Sequence, residues 1–260
     1  MLSLPTEPAF ARTYDASSYA DPYDAIIDYQ SYDREYRDGE LGSSAVSTRM
    51  AVPRGRIQSW ERGSKPDAVN GLSVAREYGW IECPVDGETF GALNRLVASV
   101  FAGGSVDGGF GPAFSASTES VEQQLRTDLS TVGAGCQQVE SNSQQHTDLR
   151  PTEHKAVFGR VLVALGAPKG RKTESVDRLP AYLEWVEPQI RREFVRVYIL
   201  NRATELDDKN HIQISERRPA DYLESLADLV HSVSGVDVWS GDRSIRIHED
   251  VLPMLEIELS

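Results

Sequence analysis

Two apolar runs of helical length stand about a hundred residues apart and organise the rest of the chain: residues 93–105 (LNRLVASVFAGGS) and 194–203 (FVRVYILNRA). Each is followed by a pattern that reads strand, helix, strand, over 112–139 in the first case and 210–239 in the second. Laid together, Phe114 falls in line with Ile212 or Ile214, Leu125 with Leu223 or Leu226, and Gly133 with Ser234 or Gly235. An internal repeat of this size determines the fold more strongly than any single motif. The spacing predicts strands around 113–116 and 135–139 with a helix over 119–131 between them, then a polar loop over 140–147. A helix from about 152 to 165 is stopped by Gly166, and a short helix covers 179–186. The second copy predicts strands at 211–215, 236–239 and 244–248, a helix over 220–232 and a closing segment at 251–256.

Upstream the periodicity changes. Residues 1–20 are rich in Pro, Ser, Ala and Tyr without a repeat and read as a flexible arm. Asp21 and Pro22 then form a helix start, cap followed by first-turn proline, with Ala25, Ile26, Tyr29 and Tyr32 at helical spacing and Gly39 as a stop. Two short helices follow. The first turns Val46 and Met50 inward, and the second, begun at Pro53 after a tight Ala51-Val52 turn, turns Ile57 and Trp60 inward. The outward face of the second carries Arg54, Arg56, Gln58, Ser59 and Arg62. Two short helices joined by so short a turn, the second bearing Arg and Gln, make a helix-turn-helix pattern. Those residue types suit base reading, because Arg bonds guanine and Gln bonds adenine in bidentate fashion in the major groove. A further helix ends near Gly79, and 81–88 is turn-rich enough to be a linker. The organisation read from the chain is an arm over 1–20, a helix-turn-helix domain over 21–81 and a tandem-repeat domain over 88–258.

Charge sharpens this reading. The whole chain carries 27 − 40 = −13, a poor balance for a nucleic-acid binder, yet 42–80 has six basic residues against three acidic ones, a local +3. Five lysines beside many arginines and carboxylates also suit a surface built for high salt. An apolar share of 40% supports a full core, and no apolar run approaches the roughly 20 residues a membrane span needs. With no signal-peptide pattern and two distant cysteines, Cys83 and Cys136, the chain reads as cytoplasmic. The histidines at 146, 154, 211, 231 and 248 have no zinc-ligand spacing, and the glycine run 103–111 lacks the Gly-Lys-Ser/Thr of a phosphate loop. Lys169, Arg171 and Lys172, in the loop APKGRK, are candidate phosphate contacts.

The repeat resembles a single-chain LAGLIDADG homing endonuclease. LVASVFAGGSV aligns without a gap on the family's "LAGLIDADGS" helix, with Gly104-Ser105 in the final "GS". VFGRVLVALGAPKGRKTESVDRLPAYL (157–183) looks like the segment between the family's repeats, and RREFVRVYILNRA looks like its second motif helix. The resemblance covers roughly 88–258. It implies two motif helices side by side, with small residues such as Ala98, Ala102, Gly103 and Gly104 allowing close approach, and a four-stranded saddle on each side. It also implies a divalent metal held by one acid from the foot of each helix. Here those two positions fall on Gly103 and Arg202, and the other motif acids on Phe101 and Leu200. The nearest acids are Asp107, Glu205, Asp207 and Asp208, beyond the helix ends. WhiA-type regulators join a degenerate LAGLIDADG fold to a helix-turn-helix, in the opposite order.

The expectation is therefore an α+β chain: an N-terminal all-α helix-turn-helix domain followed by a two-repeat LAGLIDADG-like α/β saddle. The expected function is sequence-specific binding of double-stranded DNA as a transcriptional regulator without nuclease activity. The DNA-binding candidates are Arg54, Arg56, Gln58, Ser59, Arg62, Lys169, Arg171 and Lys172, with no catalytic residue, metal or cofactor. The rival readings are a metal-dependent homing endonuclease and a protein-interaction scaffold, the latter with protein partners.

Overall fold

The computed structural model of the chain describes residues 2–15, 19–139, 147–171, 178–206 and 210–258. Over residues 2–15 the expected arm is replaced by packed structure. Strand β1 (Ser3–Leu4) pairs antiparallel with β2 (Cys83–Pro84), inside the expected linker. Helix α1 (Glu7–Ala11), capped by the Thr6 hydroxyl, buries Phe10 and Ala11 completely. Five helical residues are too few to show a period, which is why the sequence pattern hides this helix. Glu7 is ion-paired with Arg76 across the resulting contact.

Helix α2 (Pro22–Glu35) starts as expected, the Asp21 carboxylate accepting from the Tyr23 N–H, but stops at Glu35, short of Gly39. Helices α3 (Ser43–Met50) and α4 (Arg54–Glu61) are joined through Ala51 in the left-handed region. Val46, Val52, Ile57 and Trp60 close a small core with Tyr29 and Tyr32. The Trp60 ring meets Tyr29 edge-on at 5.5 Å and Tyr32 at 5.3 Å. The other sides of these elements belong elsewhere. Ile26 of α2 and Ala68, Leu72 and Ala75 of α5 (Asp67–Glu77) enter the main core of the molecule. Trp80, fully buried, donates its indole N–H to the Val132 carbonyl at 2.6 Å and packs on Phe158. The expected domain border at 82–87 is thus crossed by continuous apolar packing.

The repeat consists of α6 (Glu88–Ala102), β3 (Ser105–Val106), β4 (Pro112–Ala116), α7 (Glu119–Thr131), β5 (Gln137–Val139) and β6 (Thr147–Arg150) in the first copy. After α8 (Lys155–Ala164) and a 3-10 turn (Ala181–Glu184), the second copy runs α9 (Pro188–Arg202), β7 (Ala203–Glu205), β8 (His211–Ser215), α10 (Ala220–Ser234), β9 (Val238–Ser240) and β10 (Ser244–His248). Helix α11 (Val251–Met254) follows. The two sheets have the same order, β3-β4-β6-β5 and β7-β8-β10-β9. The first half therefore has one more strand on either side of its second helix than the pattern shows, β3 and β6, and the second half one more before it, β7. The added β3, β7 and β6 have two to four residues, two periods of alternation at most, and β3 and β7 follow directly on a helix foot.

Gly133 and Gly235, each with φ near +70°, stand just past the ends of α7 and α10, one residue beyond the cap in the first and at the cap in the second. That settles the Gly133 alignment in favour of Gly235, since only glycine enters this region without strain. In the second sheet Ile245 pairs with Ile214 and Ile247 with Ile212, all four buried. Each contributes about 1.5–3 kcal/mol by burial, and a one-residue slip would expose all of them, so the register is firmly set.

At the centre α6 lies along α9. From Phe90 to Ala102 every residue of α6 is buried except Arg95. Arg95 bonds Asp128 of α7 at 2.7 Å and Glu193 of α9 at 2.7 Å, which ties three helices together. Phe101 meets Phe194 edge-on at 5.9 Å and stacks on Tyr222 of α10. Gly103 and Gly104 do not serve the helix pair as expected. A Cβ on Gly104 would stand 2.5 Å from the Ala113 carbonyl oxygen, so that glycine admits strand β4. Among the described residues no helix is long and apolar enough to cross a membrane.

Candidate nucleic-acid interface

Helix α4 presents its polar residues on two sides. Ile57 and Trp60 pin one face to the small core, and the 3.6-residue turn then separates 54, 58 and 62 from 56 and 59. Arg54 is exposed and donates to the Ser43 hydroxyl at 3.3 Å, Gln58 is half-buried, and Arg62 is exposed at the helix end. The Arg56 guanidinium lies 4.3 Å over the Tyr19 ring, and the Ser59 hydroxyl bonds the Gly55 carbonyl at 3.1 Å. Arg56 and Ser59 line a hollow of about 660 Å³ with Tyr14, Tyr19, Lys65 and Arg160. The five residues expected on one reading face are thus split, because a helix of eight residues cannot present 54, 56, 58, 59 and 62 together.

The basic loop is folded against the first repeat. Gly170 N–H bonds the Val106 carbonyl at 2.8 Å, and Lys169 Nζ lies 3.8 Å over the Phe110 ring. Arg160 covers that same ring at 3.8 Å and Tyr14 at 3.8 Å, and donates to the Thr13 carbonyl. Burial holds the Arg160 pKa below its ordinary value. Arg171 is exposed beside the loop, and Lys172 lies outside the described residues.

A cleft of about 610 Å³, not anticipated from the sequence, opens at the foot of the two central helices. It is lined by Ala102 and Gly103 from α6, Arg202 from α9, Gln213 and Ser215 from β8, and Arg217, Arg218, Arg243 and Ser244 around them. Its single carboxylate among the described residues, Glu216, is buried. Glu216 accepts from the Tyr198 hydroxyl at 2.9 Å and from Arg202 Nε at 3.2 Å, and faces Arg218 Nε at 3.3 Å. Arg202 also donates to the Ser215 carbonyl at 2.9 Å, and Arg218 Nη2 to the Phe101 carbonyl at 2.6 Å. The Arg218 guanidinium lies 4.4 Å over the Tyr222 ring. Tyr198 and Tyr222 share a hydrogen bond of 3.1 Å beneath the cleft; burial raises both phenols, Tyr222 to about 12.

The open face of the second sheet adjoins this cleft through Gln213. Registered pairing places Thr204, Gln213, Arg246 and Trp239 in one row across all four strands. Their neighbours along β8 and β10 are the buried isoleucines, so the row faces outward, and Trp239 is 50% exposed. His211 packs edge-on against the Trp239 ring at 5.3 Å. The alternation in HIQIS and SIRIH carries the signal for Gln213 and Arg246, but only the cross-strand register brings Thr204 and Trp239 into line with them.

A central helix pair flanked by two four-stranded sheets of the same order is the arrangement the sequence resemblance implies. The fold is LAGLIDADG-like. No family model and no curated protein matches the chain. Among solved structures it is similar to the N-terminal LAGLIDADG domain of DUF199/WhiA, at 12% identity and a TM-score of 0.44, over 69% of this chain and 88% of that one. It is also similar to I-DmoI in complex with DNA and Mn, at 9% identity and a TM-score of 0.41, over 66% of this chain and 98% of that one. Likeness at this level carries no function across.

The residues at the LAGLIDADG-like metal position do not fit a divalent cation. Gly103 offers no ligand, and Arg202 brings a positive charge to the same cleft. Asp107 Oδ1 accepts from the N–H groups of Gly109 and Gly111, both at 2.8 Å, and so holds the turn between β3 and β4. The Glu205 side chain, Asp207 and Asp208 lie outside the described residues. Among the described residues no group of three or more His, Cys, Asp or Glu side chains is arranged to hold a metal ion.

Proposed function

We propose that this protein binds double-stranded DNA in a sequence-dependent way without cutting it, and acts as a transcriptional regulator. The observation that carries the reading is the outward row Thr204–Gln213–Arg246–Trp239 beside an arginine-lined cleft, on a chain whose overall charge is −13. Base edges are read by Arg, Gln and Thr, while the arginines of the cleft suit phosphate oxygens. Helix α4 supports a second contact through Arg54, Gln58 and Arg62, which lie together on one side. Absence of cleavage follows from Gly103 and Arg202 standing where metal-holding acids are required.

Anisotropy of labelled duplexes selected from a random pool tests the binding. Gln213→Ala with Arg246→Ala is expected to relax the selected sequence, and Arg54→Ala with Gln58→Ala to do the same at other base positions. Unchanged selection in both variants sinks the assignment. A plasmid incubated with Mg²⁺ or Mn²⁺ is expected to stay intact; nicking that a chelator abolishes would refute the non-cleaving half.

A further inference from the structure

We propose that the cleft at the foot of α6 and α9 is a phosphate seat, an anion site in the place where the fold family holds a cation. Four arginines, Arg202, Arg217, Arg218 and Arg243, line it against the one carboxylate of Glu216 among the described residues. Glu216 is already shared between Arg202 and Arg218, so the cleft keeps a net positive charge.

The decisive group is Arg218. Its side chain is 2% exposed, and its Nη1 is buried without a hydrogen-bond partner among the described residues, while Nε and Nη2 are engaged. A buried guanidinium N–H without an acceptor is unfavourable, and a small turn of the Arg218 side chain toward the cleft would give it an oxygen of a bound anion. The planar fork of arginine matches the tetrahedral oxygens of phosphate better than it matches a monatomic anion.

The surroundings agree. Ser215, Ser244 and Gln213 add neutral donors along the wall. Helix α10, fifteen residues long, begins two residues beyond Arg218 with no side chain capping its first turn, and such an end attracts anions. Asp242, with Arg217 and Arg243 in the adjoining depression, is the one opposing charge among the residues that line it, and the arginines outnumber it.

The ligand chemistry is a phosphate group, either a diester of a DNA backbone or free phosphate. Only the first source rests on the DNA-binding reading. Within that reading the cleft anchors one strand and sets the register of the Thr204–Trp239 row on the bases.

The full-length chain is titrated with inorganic phosphate against sodium chloride at matched ionic strength, with melting temperature and calorimetry as readouts. Saturable stabilisation beyond that of chloride is expected, weakened about tenfold or more in Arg202→Gln and Arg243→Gln. Arg218→Met is the sharpest variant, but its Nη2 also holds the Phe101 carbonyl; the exposed Arg243 keeps the test valid if that variant fails to fold. No effect beyond chloride in the wild type overturns the proposal, as does phosphate binding undiminished in both glutamine variants. If phosphate binding falls and duplex affinity falls with it, with a shallower salt dependence, the seat holds a DNA phosphate. If phosphate binding falls while duplex affinity is unchanged or absent throughout, the seat stands as a free-phosphate site and the DNA reading of this face fails.

Discussion

Tyr182 donates its hydroxyl proton to Asn94 Oδ1 at 2.8 Å, with both side chains buried. The Asn94 amide in turn donates to the Ile190 carbonyl at 3.0 Å. One asparagine of α6 thereby fastens both the segment between the repeats and the start of α9. Tyr182→Phe leaves a buried acceptor unmade and is expected to lower stability by about 1–3 kcal/mol. A shift of the urea midpoint with unchanged slope would register it; a midpoint equal to wild type would show that the bond contributes nothing.

Neighbouring glycines at the foot of α6 should answer differently to alanine. On Gly104 the new Cβ would meet the Ala113 and Ser99 carbonyl oxygens at 2.5 and 3.2 Å, both main-chain atoms. On Gly103 the nearest atom is 3.7 Å away, an ordinary contact. Gly104→Ala is expected to cost about 1–3 kcal/mol by overpacking, and Gly103→Ala within about 0.5 kcal/mol. Thermal melts of the two variants decide this, and equal losses would contradict the packing described.

The two cysteines should separate in reactivity. Cys83 is buried, its thiol donates to the Gly79 carbonyl at 2.9 Å, and burial pushes its pKa up to about 11. At pH 8 its thiolate is then about one part in a thousand. Cys136 is half-buried, and burial raises it as well. Brief alkylation of the folded protein, read by peptide mass, is expected to mark Cys136 first and Cys83 only on unfolding.

Alkaline pH should unfold the protein steeply. Burial raises the phenols of Tyr182, Tyr198 and Tyr222, the last to about 12, above the unfolded value near 10. The folded state keeps these protons while the unfolded chain releases them. Stability is therefore intact below pH 10 and falls as pH rises above it, by up to about 1.4 kcal/mol per pH unit for each phenol. Burial also raises Tyr14, Tyr19, Tyr23, Tyr29 and Tyr32, so absorbance at about 295 nm against pH is expected to show a late, cooperative step that includes these three of the ten tyrosines, coincident with loss of circular dichroism. Early non-cooperative titration of all ten would contradict their burial.

Much of the repeat is legible in the chain. The helix over Glu119–Thr131 and the strands His211–Ser215 and Ser244–His248 are where periodicity places them, because each is long enough to show its own period against a buried face. The α1 helix and strands β1, β3 and β7 are not legible. They are held by partners distant in sequence, as Ser3–Leu4 is by Cys83–Pro84, and local pattern carries no record of such pairing.

The same division runs through the candidate interface. The composition of α4, and the presence of Gly103 and Arg202 at the motif positions, are properties of the sequence alone. They determine that the helix feet bring a cation rather than a carboxylate. Which residues share a surface was decided only by tertiary structure. The turn of α4 sends Arg56 to Tyr19 and away from Arg54. Strand register aligns Thr204, Gln213, Arg246 and Trp239, and chain closure gathers Arg217, Arg218 and Arg243 around Arg202. Local propensity acts over a few residues, whereas a charged cleft is made by groups that folding brings together from separate elements.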